Sequence, residues 1–144
     1  MIGQDVSILC HTNTLRSVKL TDPWIGFDDY QAFTRTTAKY PSAGTGSVEA
    51  IAYCSWKLSG EAGEVTEKLG KLTRHLGSFE AVARNNISDS DRESIAKELG
   101  DVLWYVAGLS YEYGFKLSDI AKLNVEKLSD RQARGKLFGS GDDR

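Results

Sequence analysis

An uninterrupted apolar stripe runs from Ile51 through Cys54, Leu58, Ala62, Val65, Leu69 and Leu72 to Leu76. Returns at three and four residues are the mark of an amphipathic helix, so the middle of the chain is committed to helical packing. Ser47 stands where an N-cap belongs, Glu49 falls in the first turn where negative charge is favoured, and Gly77 supplies the stop. Phe27, Tyr30, Phe33, Thr37 and Tyr40 give an earlier helix over about residues 26–39, ended by Pro41. Ser90-Asp-Arg-Glu93 fits a capping box and opens a third helix, whose stripe of Ile95, Leu99, Val102, Val106, Leu109 and Tyr113 ends at Gly114. Ser118 and Asp119 start a fourth, which runs through Ile120, Leu123 and Leu128 to about residue 133. Residues 42–47 read as a loop, and 78–89 as a connection with a short helical turn. With no strand alternation and no repeat, the expected fold is all-α, an antiparallel bundle of about four main helices. Residues 1–22 lack sustained periodicity and read as an N-terminal arm, and 23–144 as one helical domain with a glycine-rich, irregular tail after Arg134.

Composition narrows the function. The 144 residues carry 18 Lys and Arg against 20 Asp and Glu, a net charge of -2, which gives no long-range attraction to nucleic acid or to anionic membranes. Cys10 and Cys54 are too few and too far apart for a disulfide framework, and with two histidines there is no zinc-type spacing. No apolar run reaches the roughly 18 residues of a membrane span, and the N-terminus lacks the pattern of a signal peptide. A soluble protein of a reducing cytoplasm is expected.

Two carboxylate pairs interrupt the helical pattern, Glu61-Ala-Gly-Glu64 and Glu98-Leu-Gly-Asp101. Residues three apart on a helix are neighbours, so each pair presents two acids on one face. At roughly 100° per residue both pairs centre about 85–100° to the same side of their apolar stripes. If the two helices pack antiparallel through those stripes, the acids meet at the bundle edge, open to water yet held by packed backbone. One such pair is ordinarily a solvated face; two with the same offset can converge on a hard divalent cation such as Mg²⁺, which points to phosphate chemistry. Each pair also encloses a glycine, Gly63 and Gly100, where a helix interior loses about 1 kcal/mol relative to Ala. Both lie beyond the far side of the stripe from the acids, which suggests close approach of another helix, from this chain or a second subunit.

Other candidates surround these acids. Tyr105 lies one turn after Asp101 and shares its face, so its hydroxyl can hydrogen-bond a sugar or phosphate. Asn124, Lys127 and Arg131 form a polar ridge at helical spacing, suited to phosphate oxygens or simply to solvent. Lys57 and Lys68, each four residues from an acid, can reach phosphate or screen the carboxylates. The Gly-Thr-Gly loop before the second helix lacks the Gly-Lys-Ser/Thr ending of a phosphate loop, and His75 is too far along its helix for the acid site. Trp56, Trp104, Tyr30, Phe33 and Tyr53 are read chiefly as core or subunit contacts.

At the acid pairs the sequence resembles the MazG-like all-α nucleoside triphosphate pyrophosphohydrolases, in their short single-domain form. The segments L-S-G-E-A-G-E-V-T-E-K and K-E-L-G-D-V-L-W-Y match the family's E-x-x-E and E-x-x-D motif, and the likeness spans about residues 27–144. The resemblance implies Mg²⁺-dependent, with Mn²⁺ as a substitute, hydrolysis of a nucleoside or deoxynucleoside triphosphate to monophosphate and pyrophosphate, for nucleotide pool control. It implies Glu61, Glu64, Glu98 and Asp101 as catalytic metal ligands, and Tyr105, Asn124, Lys127 and Arg131 as substrate contacts. It also implies assembly across subunits as a homodimer or homotetramer. Two other readings stand beside it: a non-catalytic helical module that binds a nucleotide or partner, and a same-fold enzyme specialised for dUTP, dCTP or phosphoribosyl-ATP.

Overall fold

The computed structural model describes residues 26–82 and 86–137 and, by backbone alone, 6–9 and 15–18. Four α-helices form the body: α1 (Phe27–Thr37), α2 (Val48–Leu76), α3 (Asp89–Glu112) and α4 (Leu117–Ala133), with a 3-10 turn at Glu80–Val82. The all-α expectation holds for this body. Within the arm, two short strands, β1 (Val6–Leu9) and β2 (Leu15–Val18), pair antiparallel with Val6 opposite Val18 and Leu9 opposite Leu15. That hairpin corrects the expectation of no strand; runs of four residues are too short to establish an alternation in sequence. The tail beyond residue 137 and Cys10 lie outside the described residues.

The caps explain where helices begin and end. Ser47 Oγ accepts from Ala50 N at 3.2 Å, and Gly77 ends α2 in the left-handed region at φ 82°. Helix α3 starts two residues before the expected capping box. Ser88 Oγ accepts from Asp91 N at 3.1 Å and donates to Asp91 Oδ2 at 2.6 Å, so a Ser–Asp cap two residues earlier wins. Helix α4 begins without a side-chain cap of its own, correcting the role given to Ser118. Its first amides are taken by α1 instead: Leu117 N donates to Gln31 Oε1 at 3.2 Å and Ser118 N to Asp28 Oδ1 at 3.1 Å. Gln31 Nε2 in turn donates to Phe115 O at 3.0 Å and Ala107 O at 3.3 Å.

Helices α2 and α3 make the largest helix contact. They run antiparallel, since Cys54 meets Gly108 at one end while Lys68 meets Glu98 at the other. Close approach is set by small residues: a Cβ built on Gly108 would lie 3.7 Å from Cys54 Sγ, and Ala50 and Ala107 are fully buried beside it. The core of Tyr40, Ala50 and Cys54, with Leu117 buried under α4, is small. Much of the expected stripe is uncovered, with Leu69 at 38%, Leu99 at 52% and Leu123 at 62% exposure.

At the Tyr40 end, the 42–46 loop is fastened to α3 by Glu112, which is 5% exposed. Its carboxylate accepts from Tyr40 OH at 2.5 Å, Gly44 N at 2.6 Å and Gly46 N at 2.9 Å. Burial pushes this acid upward, but the three hydrogen bonds and nearby Arg35 outweigh it and hold it below its ordinary value. Burial and the bond to Glu112 drive the Tyr40 hydroxyl strongly upward, so it stays a donor. Gly44 and Gly46 adopt φ 83° and 65°, which aim their amides at the acid. Those amides are thus engaged by Glu112 rather than open to another anion.

Candidate metal centre

The two acid pairs converge where α2 and α3 pass each other, on successive turns that the antiparallel packing brings side by side. One oxygen from each of Glu61, Glu64 and Glu98 lies within 4.8 Å of the others. An all-oxygen, all-carboxylate donor set is the chemistry of a hard divalent cation, so these residues fit Mg²⁺ or Mn²⁺. Glu61 is 8% exposed, while Glu64 faces solvent. Asp101 does not join that cluster of three, but it lines the same cavity as Glu61. Burial pushes its carboxyl above the ordinary value, and the charges of Glu61 and Glu98 push it further. Acids held this close repel one another, so positive charge placed among them is favoured.

Two lysines supply part of that charge. Lys57 Nζ pairs with Glu61 Oε1 at 2.9 Å, one turn away on α2. Lys68 Nζ crosses to α3, where it pairs with Glu98 Oε1 at 2.8 Å and donates to Ser94 Oγ at 2.6 Å.

A cavity of about 470 Å³ opens beside the acids, lined by Thr37, Lys39, Tyr40, Tyr53, Glu61, Asp101, Trp104 and Tyr105. Its wall is aromatic: Tyr40 stacks on Tyr53 at 5.6 Å, and Trp104 meets Tyr40 and Tyr105 edge-on at 6.1 and 4.8 Å. Trp104 Nε1 donates to Thr37 Oγ1 at 2.9 Å, which fixes its ring against the end of α1. A space of this size, with acids at one side and flat rings at the other, suits a small polar molecule with a planar part.

Tyr105 stands in this wall, as its spacing from Asp101 implied. Asn124 and Lys127 do not. They line a separate, mainly apolar groove of about 490 Å³ with Phe27, Leu103, Val106 and Leu117. Arg131 is 5% exposed, so it is not part of a solvated ridge. Tyr53 and Trp104 belong to the cavity rather than only to the core, and Trp56, at 76% exposure, is in neither. His75 is exposed, as expected. Gly63 and Gly100 look into open space: among the described residues no atom lies within 4 Å of where a Cβ would stand, so none of the four helices approaches them. Sequence reasoning did not find Thr37, Lys39 and Tyr40 as cavity residues. The pointer in the sequence is Pro41, which disfavours helical backbone at Tyr40 and so sets it apart from the faces of α1.

Comparison with known proteins agrees with this geometry. The model of the MazG nucleotide pyrophosphohydrolase domain matches residues 53–135, which include all four acids. The Gene 37 protein of Mycobacterium phage L5 is 39% identical over 118 residues, covering 81% of this chain and 97% of that protein. No solved structure matches. With the acid motifs, the helical pair that unites them and more than half of the chain matched, this protein belongs to the MazG nucleotide pyrophosphohydrolase domain family.

Proposed function

We propose that this chain is a Mg²⁺-dependent pyrophosphohydrolase that splits nucleoside or deoxynucleoside triphosphates into monophosphate and pyrophosphate, as part of nucleotide pool control in the cytoplasm. The observation that carries the reading is the meeting of Glu61, Glu64 and Glu98 from two helices, beside a cavity that also holds Asp101. Glu61, Glu64, Glu98 and Asp101 hold the metal, with Mn²⁺ as a substitute. The bound ion would neutralise charge on the phosphates and lower the pKa of a water for attack. The chain's own residues do the rest. Tyr53, Trp104 and Tyr105 receive the nucleoside, and Lys39 and Lys57 at the cavity neutralise phosphate oxygens.

Asn124 and Lys127, which line the separate groove, are further substrate contacts in this proposal. A direct contact from Arg131 requires the last turn of α4 to shift. The functional unit is residues 23–144, with 1–22 as an accessory arm, and it works as a homodimer or homotetramer. Support for assembly comes from the large uncovered side chains of α4, Leu123 and Val125 at 62% and Leu128 at 43%, and from the open faces at Gly63 and Gly100. Among the described residues no helix is long and apolar enough to cross a membrane.

The test is incubation with each triphosphate and Mg²⁺, with products separated by ion exchange. Monophosphate and pyrophosphate in equal amounts support the proposal; orthophosphate alone, or no turnover of any triphosphate, overturns it. Glu64→Gln and Asp101→Asn should each abolish turnover while circular dichroism keeps its helical signature.

A further inference from the structure

Lys68 is the residue that the acid site leaves without an assigned part. It sits on α2, one turn beyond Glu64, yet its ammonium reaches across to α3. There it meets Glu98 Oε1 at 2.8 Å and Ser94 Oγ at 2.6 Å, with the Glu98 side chain only 12% exposed. Lys57–Glu61 also has a nearly buried acid, at 10% exposure, but it stays within α2, one turn apart. Lys71–Glu67 and Lys97–Glu93 lie within one helix, and each side chain in them is at least 60% exposed. Pairs of that kind contribute little. Lys68 instead has a fixed berth, with a hydroxyl on α3 holding the second of its donors. It also lines a groove of about 220 Å³ with Lys71, Asp91 and Ser94, next to the acid cluster.

An ammonium seated on Glu98 provides positive charge to the acid that α3 contributes to the cluster of three. A divalent cation entering the cluster competes with it for the same carboxylate. Once displaced, the ammonium stays tethered by a flexible four-carbon stem beside whatever anion the cation brings.

We propose that Lys68 is a built-in counter-cation: it occupies Glu98 in the metal-free chain, opposes metal entry, and on displacement moves to an oxygen of the polyphosphate. The inference rests on the metal-dependent reading of the site and adds to it how the site regulates its own filling.

The two halves of the inference predict changes of opposite sign. Removal of the ammonium in Lys68→Met should tighten Mg²⁺ binding about five- to tenfold and weaken binding of pyrophosphate in saturating Mg²⁺ by a similar factor. Lys68→Arg, which keeps the charge, should restore weak Mg²⁺ binding. Lys97→Met, the same charge change at an exposed pair, should move neither constant by more than about twofold.

Titration calorimetry on the full chain reads both, with Mg²⁺ alone and then with pyrophosphate, and melting curves in EDTA check that each variant is folded. Equal Mg²⁺ affinity in wild type and Lys68→Met overturns the inference while leaving the metal site intact. Tighter Mg²⁺ binding with unchanged pyrophosphate affinity also overturns it, since the transfer would be absent. Similar effects in Lys97→Met would reduce the result to general charge and overturn it as well. No Mg²⁺ binding by any of the proteins overturns the metal reading itself, and this inference with it.

Discussion

The two ends of the α2–α3 pair are built on opposite plans. At the Tyr40 end, small residues let the helices touch, and the buried acid Glu112 has three donors aimed at it. At the other end, several acids share a small volume, Glu61 and Glu98 are the two of the four motif acids with a lysine ion pair among the described residues, and Gly63 and Gly100 meet no described atom. One carboxylate is held below its ordinary pKa by its neighbours, and another, Asp101, is held above. A single helical pair thus carries a satisfied end that supplies rigidity and an unsatisfied end that holds the proposed metal site. The first can hold the second in place only because both are on the same two rods.

That contrast can be broken at either end. The largest effect should come from Glu112→Ala, which leaves three donors without their acceptor at about 1 kcal/mol each, a loss of about 3 kcal/mol in urea unfolding. A loss under about 1 kcal/mol would mean that the loop is held by something else. At the acid end the prediction is gain rather than loss. Mg²⁺ at about 100 times its dissociation constant should stabilise the wild type by about 2.7 kcal/mol, read as a rise in Tm, and Glu61→Gln should remove most of that rise.

Gly63→Ala should be smaller still. The methyl meets nothing among the described residues, so the helix gains about 1 kcal/mol, whereas Gly63→Leu should weaken assembly in sedimentation if a second copy packs there. The smallest effect is in pH, measured in EDTA. Glu112, with its folded pKa lowered, contributes stability above about pH 4.5 that is lost as pH falls through its folded value. Asp101, with its folded pKa raised, contributes stability below about pH 3.8 that is lost as pH rises through its folded value. Glu112→Gln should therefore lose least against wild type at acid pH, and Asp101→Asn should gain most near neutrality. Parallel profiles for the two would remove the distinction between the ends.

The readable parts of the molecule were those decided by neighbours along the chain. Ser47, Gly77 and the whole of α2 followed from local spacing, and so did the shared faces of Glu61 with Glu64 and of Glu98 with Asp101. Contacts between distant residues escaped. Nothing near Ser118 shows that its amide is taken by Asp28, and nothing near Gly44 shows that Glu112 occupies its amide. Asn124, Lys127 and Arg131 do form a helical row, but the row does not face the cavity beside the acids. Rotation of α4 about its axis turned Arg131 inward and placed the other two in a different groove. The aromatic wall escaped for a similar reason, because Tyr53 and Trp104 look like core residues until the side they face is known.

The manner in which α1 holds the start of α4 bears on how the protein could be shortened. The family match begins at residue 53, after α1 has ended, yet Gln31 and Asp28 take the amides of Leu117 and Ser118. A fragment trimmed to the matched region would keep every acid of the motif and lose the clasp that orients its last helix. Minimal versions of this enzyme should therefore be cut ahead of Phe27, since what looks dispensable by similarity is here the hinge pin of the domain.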